Sequence, residues 1–205
     1  RNRIRRFVDE DFRTIDDLRQ TDGFDGLNRS VQELAARGAL RIGAGAVTLG
    51  VPPAALIENA AQLNAIMLPA IKGADALTEI LQATRINALC IGPGLGLSEK
   101  SHSLVEASLM SNRPITLDAD ALTHLSQDQT LFAKLHKNCI LTPHAGEFAR
   151  LFPDIAEQLN APALKGPAYS KVDATRDAAK RAGCTVLFKG PDTVIAHPKG
   201  RCSIN

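Results

Sequence analysis

The 205-residue chain has no tryptophan, one tyrosine and two methionines, so its core has to be built from aliphatic side chains and seven phenylalanines. No apolar run reaches the roughly 18 residues that a membrane-spanning helix needs, which excludes such a helix on hydropathy. The first residues carry no apolar h-region, so no secretory signal is read there. The four cysteines, Cys90, Cys139, Cys184 and Cys202, contain no C-x-x-C pair, and three of them sit in or beside strand-like runs. They read as small buried hydrophobes rather than a metal cage or a disulfide set, and a reducing cytoplasm is the expected setting. Basic and acidic residues nearly balance, 24 against 22, which argues neither for nor against a polyanionic partner. The imbalance is local: Arg1, Arg3, Arg5 and Arg6 crowd the first six positions, a pattern of solvated tails. The dinucleotide fingerprint G-x-G-x-x-G is also missing.

What the chain does have is alternation. Residues 1–29 read as a charged arm, helical or partly disordered, with one short amphipathic helix. From Ser30 the pattern becomes regular, and residues 30–205 are expected to form one domain. Val31, Leu34, Ala35 and Leu40 predict a helix ending at Gly43, followed by a strand over 45–51. Pro52-Pro53 opens a helix through Leu63, since proline is tolerated in a first helical turn. Further helices are expected around 75–82, 100–110, 121–125, 129–135, 147–151 and 171–182, with a looser stretch over 156–169. Strands are expected at 88–91, 114–117, 139–142, 185–188 and 193–196. Strands alternating with helices imply βαβ units and a parallel sheet. The strands are continuous apolar runs, as a sheet covered on both faces requires. The fold class is therefore α/β, a three-layer α/β/α sandwich with a mostly parallel sheet.

Ligands of open α/β sheets bind beyond the carboxyl ends of the strands. Four strands here end in polar or glycine-rich groups: Gly92-Pro93-Gly94-Leu95-Gly96, Asp118-Ala119-Asp120, Thr142 through Glu147, and Lys189-Gly190-Pro191-Asp192-Thr193. Successive ends on one edge of a sheet converge in space. A glycine turn running into a helix lets backbone lie close to a ligand and aims free N–H groups at an anion. Asp118 and Asp120 are either caps and loop carboxylates or hard oxygen ligands for Mg²⁺ or a water beside a phosphate. His144 is either a solvated loop residue or a ring pointing across the cleft. Lys189-Gly190 with Thr193 is either an ordinary turn or a phosphate contact. His102, His124, His136 and His197 have no partner spacing and read as surface residues.

Six segments, in order and spacing, carry a resemblance: LAARGALRIGAGAVTLGVPP (34–53), NAAQLNAIML (59–68), IGPGLG (91–96), LDADALT (117–123), LTPHAGEFARLFP (141–153) and FKGPDTVIAHPKGR (188–201). Together they resemble the ADP-dependent NAD(P)H-hydrate dehydratase family of the ribokinase-like superfamily, over about residues 30–205. That family repairs hydrated nicotinamide cofactors: ADP or ATP phosphorylates the ring hydroxyl, and loss of phosphate restores NADH or NADPH. The resemblance implies that Gly94, Gly96 and His144 contact the hydrated dinucleotide, with Asp118 and Asp120 on the floor of the cleft. It implies that Lys189, Gly190, Pro191, Asp192 and Thr193 hold the adenine nucleotide, ADP or ATP with Mg²⁺, and it names no resident metal site. The implied partners are hydrated NADH or NADPH and adenine nucleotide, with no nucleic acid and no membrane, in a homo-oligomer. The family's G-[ST]-G-D loop, which supplies an anion hole and the general base, follows the segment matching Arg201–Asn205. No residue of 1–205 is therefore assigned as catalytic, and residues 1–205 alone are expected to bind nucleotide weakly without turnover. A small-alcohol kinase of the same superfamily and a non-catalytic nucleotide-binding remnant are the alternatives.

Overall fold

A computed structural model describes residues 25–162 and 166–205. The charged arm expected over residues 1–29 lies mostly outside the described residues, and its last five positions belong to a helix. The chain divides into two compact units, with the boundary in sequence between Ile71 and Lys72.

In the first unit, helix α1 runs over Asp25–Arg41. Arg37 pairs with Glu33 one turn earlier, at 2.6 Å, and its guanidinium also donates to the Gln62 carbonyl at 2.6 Å. Pro53–Ala55 makes a single 3-10 turn that leads into α2, Leu56–Gln62. The strand expected over 45–51 is present only as a sparse parallel pairing with 67–71. Met67 N–H donates to Val47, Leu49 N–H to Met67 and Ile71 N–H to Val51 at 2.7–3.0 Å, yet only two isolated bridges form. Pro69 stands in the pairing segment and has no N–H to give the ladder.

The second unit is built on a six-stranded sheet in the order β1 (Leu89–Ile91), β2 (Ile115–Leu117), β3 (Cys139–Leu141), β4 (Thr185–Phe188), β5 (Val194–Ala196) and β6 (Cys202–Ile204). The first four strands are parallel, and β5 and β6 add antiparallel. The expected mostly parallel α/β sheet is thus observed. β6 was not expected; Pro198-Lys199-Gly200 turns the chain back, and His197 N–H reaches the Arg201 carbonyl at 2.9 Å.

Helices alternate with the strands: α3 (Ala74–Ile80), α4 (Glu99–Met110), α5 (Ala119–Gln127), α6 (Gln129–Phe132), α7 (Ala145–Leu151), α8 (Pro153–Asn160) and α9 (Lys171–Ala182). The stretch expected to be loose from 156 holds the second half of α8. Pro153 starts that helix from a first-turn position, and the Pro and Gly residues beyond 160 act only after its end.

The core lies between these helices and one sheet face. Ile115, Leu117, Cys139, Leu141, Val186, Phe188 and Ala196 point into it and are buried. The alternate residues form the other face, where Cys90 is exposed and Ile140 is 38% exposed. Continuous apolar runs predict cover on both faces, but among the described residues the second face carries less. The scarce aromatics are concentrated: Phe148 stacks flat on Phe188 at 4.1 Å between ring centres, and Phe152 and Phe132 extend the cluster. This stack sits directly beneath the ends of β3 and β4, where the polar groups begin.

Two substitutions measure this arrangement. Phe148→Ala removes a ring that is 1% exposed and is expected to cost about 3–5 kcal/mol in denaturant unfolding. Gly183→Ala, at the left-handed cap that ends α9 (φ 66°) with open space around it, is expected to cost only about 1–2 kcal/mol. A loss at Phe148 no larger than that at Gly183 would mean the aromatic stack is not central to the core.

Candidate functional site

The four polar strand ends meet on the carboxyl edge of β1–β4, and hydrogen bonds join each to a neighbour. After β1, Gly92, Gly94 and Gly96 all have positive φ. Gly92 has no substitute: a Cβ there would lie 1.8 Å from the Asp118 carbonyl oxygen, so glycine is required for this turn to lie against the end of β2. Ser98 then caps α4, its hydroxyl accepting from Ser101 N–H at 3.2 Å, while the Ser101 hydroxyl holds the Leu95 carbonyl at 2.9 Å.

Asp118 and Asp120 have separate tasks. Asp118 is the N-cap of α5, accepting from Ala119 N–H at 2.9 Å. The same oxygen accepts from Lys189 Nζ at 2.7 Å. Asp120, in the first turn of the helix, reaches across to accept the Gly96 N–H at 2.8 Å. His144 is the N-cap of α7: its Nδ1 accepts from Gly146 N–H at 3.0 Å, and Glu147 returns the favour by accepting from His144 N–H at 2.8 Å. The His144 side chain is nonetheless more than half exposed, and its Nε2 lies 3.4 Å from Glu147.

Lys189 links the set. Its backbone N–H donates to the Pro143 carbonyl at 2.8 Å, and its ammonium lies 2.7 Å from Asp118 and 4.0 Å from the buried Glu147. The sequence grouped Lys189 with Gly190–Thr193; the structure turns its side chain away from that group, towards the Asp118 end of the cleft. Gly190, Pro191 and Asp192 form an exposed turn. Thr193 donates to the Gly190 carbonyl at 3.3 Å. The turn is fastened by Lys171 at the start of α9, which donates to the carbonyls of Lys189 and Asp192, at 3.3 and 2.5 Å, and to the Asp192 carboxylate at 3.3 Å. Its ammonium also stands 4.5 Å over the Phe188 ring. The Asp192 carboxyl is held below its ordinary range, first by its own backbone N–H and then by Lys171.

Three residues of the edge were not singled out from sequence. Glu147 was legible as the fourth residue of an H-x-x-E capping box. Lys171 had no local signal, because its partners lie 18 and 21 positions away. His124, expected at the surface, is instead 4% exposed, and its Nε2 lies 3.1 Å from the Gly96 carbonyl. It follows Asp120 by one helical turn on the inward face of α5, beside Ala121 and Leu125. His102 is also only partly exposed, paired with Asp128 at 2.9 Å.

The donors do not fit a resident divalent cation. Asp118 is committed to a lysine and a backbone amide, Asp120 to another amide. Among the described residues no group of three His, Cys, Asp or Glu side chains is arranged to hold a metal ion. Also among them, no helix is long and apolar enough to cross a membrane, and all four cysteines are free thiols.

Residues 32–205 match the family model described as NAD(P)H-hydrate dehydratase. A bifunctional NAD(P)H-hydrate repair enzyme of Synechocystis sp. is 37% identical over 173 residues, covering 82% of this chain and 30% of the relative. One of Moorella thermoacetica is 32% identical over 192 residues, covering 89% and 34%. The chain thus spans about a third of the length of these curated relatives. The ADP/ATP-dependent NAD(P)H-hydrate dehydratase from Bacillus subtilis, co-crystallized with ATP/Mg²⁺ and soaked with CoA, superposes with a TM-score of 0.62 at 26% identity. That match covers 86% of this chain and 60% of the Bacillus chain. A ribokinase-like superfamily protein from Enterococcus faecalis, at 21% identity and a TM-score of 0.65 over 82% and 55% of the two chains, shares the fold. By the extent of the family match and the edge on which its polar strand ends meet, the chain belongs to the NAD(P)H-hydrate dehydratase family.

Proposed function

We propose that the edge formed by the ends of β1–β4 binds hydrated NADH or NADPH together with ADP or ATP, in an enzyme that dehydrates the damaged cofactor at the expense of the nucleotide. The observation that carries this reading is the Lys189 ammonium, which stands between Asp118 at the end of β2 and Glu147 of the His144 capping box. The chemistry is transfer of the terminal phosphoryl group of ADP or ATP to the ring hydroxyl, which gives up its proton as AMP or ADP leaves, followed by departure of phosphate with a proton from the neighbouring ring carbon and return of the dihydropyridine. Such transfers depend mainly on positioning and on neutralising charge on the phosphoryl oxygens. In this chain the positioning falls to the glycine turn pinned by Asp120, and the charge to Lys189. An entering phosphate draws the ammonium from Asp118, with Glu147 behind it. Mg²⁺ is then carried by the nucleotide's own phosphates rather than by a protein cage. Gly190–Thr193, fastened by Lys171, borders the nucleotide, and Gly94, Gly96 and His144 border the dinucleotide. Four unpaired thiols suit a reducing cytoplasm.

Incubating the protein with ADP and hydrated NADH, and following the near-ultraviolet absorbance of the restored dihydropyridine, tests the activity directly. With residues 1–205 joined to the family's G-[ST]-G-D loop, the return of absorbance is expected to need nucleotide, and with residues 1–205 alone it is expected to be absent; ADP-dependent phosphorylation of a small alcohol instead would favour the kinase reading.

Lys189→Ala leaves Asp118 and Glu147 facing incoming phosphates without their cation. A charge-assisted contact of about 1.5–3 kcal/mol is lost, so calorimetry is expected to read ADP binding about ten- to a hundredfold weaker. Equal affinities for the two proteins would sink the assignment.

His144 has two roles that can be separated. His144→Ala removes the α7 cap, worth about 1 kcal/mol, and the ring at the mouth. His144→Asn keeps a cap but not the ring. Both variants are expected to bind NADH more weakly with ADP affinity retained, while Asn alone recovers the stability. Recovery of NADH binding by Asn would reduce His144 to a cap.

A further inference from the structure

Gly96 is gripped on both of its peptide groups by one helix. Its N–H donates to Asp120 Oδ2 at 2.8 Å and its carbonyl lies 3.1 Å from His124 Nε2. Asp120 and His124 are one turn apart on α5, so both reach the same spot from the same face. A carbonyl oxygen only accepts, so Nε2 of His124 carries a proton. The ring is buried, and a second histidine braces it: His102 on α4 meets it edge-on, with ring centres 5.7 Å apart and planes at 77°. His102 is itself held through Nε2 by Asp128 at 2.9 Å, and a carboxylate opposite again sets the proton on Nε2. Asp128 accepts from the backbone and hydroxyl of Thr130 at 2.7 Å, which fixes it as the cap of α6. A continuous set of polar contacts and one ring contact therefore runs from the end of α5 to the glycine turn.

The turn needs such a hold. Three glycines with positive φ within five residues leave this backbone with few intrinsic restraints, and glycine loses more conformational freedom on ordering than any other residue. A ligand that must order the turn on binding pays for that in affinity. Asp120 restrains the amide side of Gly96; without a donor at His124 the carbonyl side loses its side-chain partner. Nothing in the proposed chemistry asks His124 to touch a ligand.

We infer that His124, braced by His102 and Asp128, is a positioning residue that holds Gly96 and keeps the glycine turn in its ligand-binding conformation. The inference rests on the proposal that this turn borders the dinucleotide, and it goes beyond it by assigning a role to residues off the cleft wall.

Three proteins test it: the wild type, His124→Leu, which keeps apolar bulk but no donor, and His124→Gln, whose amide can still donate to Gly96. Each is taken through thermal melting, backbone amide exchange at Gly96, and calorimetric titration with NADH in the presence of ADP. Leu is expected to speed exchange at Gly96 and to weaken NADH binding about three- to tenfold, the worth of one hydrogen bond, with ADP affinity unchanged. Gln is expected to restore both readings towards wild type. A merely structural histidine lowers the melting temperature without changing either reading, and that result overturns the inference. So does faster exchange in Leu with unchanged NADH affinity, or a Gln variant that behaves as Leu does. If the wild type itself binds no NADH, the proposed role of the turn has failed and the inference fails with it. Gly96 exchange then reports separately whether the two-sided hold exists.

Discussion

The ion pair between Lys189 and Asp118 is the contact on which the arrangement of the candidate site depends. It joins the end of β4 to the end of β2 across the whole width of β3, over 71 residues of sequence. Each partner is already fixed from behind. Asp118 is tied to the first turn of α5, and its N–H to the Ile91 carbonyl of β1 at 3.2 Å. Lys189 is tied through its N–H to Pro143 at the end of β3. The side-chain pair therefore closes a ring of contacts through all four parallel strands. About a third exposed, it adds little to global stability, since partly solvated pairs are worth at most about 1 kcal/mol. Its importance is geometric: it sets where the Lys189 ammonium stands.

The floor is stiff because of what lies under it. Phe188, the residue before Lys189, stacks flat on Phe148, the residue after Glu147. The same ring carries the Lys171 ammonium on its approach to the 189–192 turn. Two of the polar strand ends thus begin directly on buried aromatic anchors, and a shift in the core displaces the site. The glycine turn is placed differently. It is held from the side, by a backbone contact so close at Gly92 that no side chain fits, and by the two polar groups of α5 at Gly96.

Much of this was legible in the sequence, for physical reasons that also explain the misses. The parallel strands announced themselves as short β-branched and aliphatic runs, each stopped by glycine, proline or aspartate, and their ends had to share an edge. α9 was readable to the residue because Ser170 and Gly183 mark both of its ends. The failures were of two kinds. Pairings that need a distant partner left no local trace: β6 is three residues long and exists through its hydrogen bonds to β5, and Lys171 acts on residues far along the chain. Burial was misjudged where a polar residue sits on an inward face. His124 looked like a surface residue because no spaced partner was visible in sequence, yet its partner is a backbone carbonyl, which every residue has. The strand expected over 45–51 was weakened by a proline in the other strand of the pair, which its own residues could not reveal.

The charge arrangement of the floor also bears on how a ligand enters. Asp118 and Glu147 face a single ammonium, so with no ligand present Lys189 is satisfied by carboxylates rather than left as an open positive site. An entering phosphate has to compete for that ammonium, and each carboxylate it displaces repels it. The site is thus poised against any lone anion and favours a ligand that brings enough further contacts to offset the exchange. In the proposed function, a dinucleotide on the glycine turn and a nucleotide bordered by Gly190–Thr193 each supply contacts at a distance from the lysine. Binding energy gathered by those remote parts is what can be spent on bringing the phosphoryl group up to Lys189. Free phosphate has no such parts, so in the proposed function the Lys189–Asp118 pair also discriminates against it.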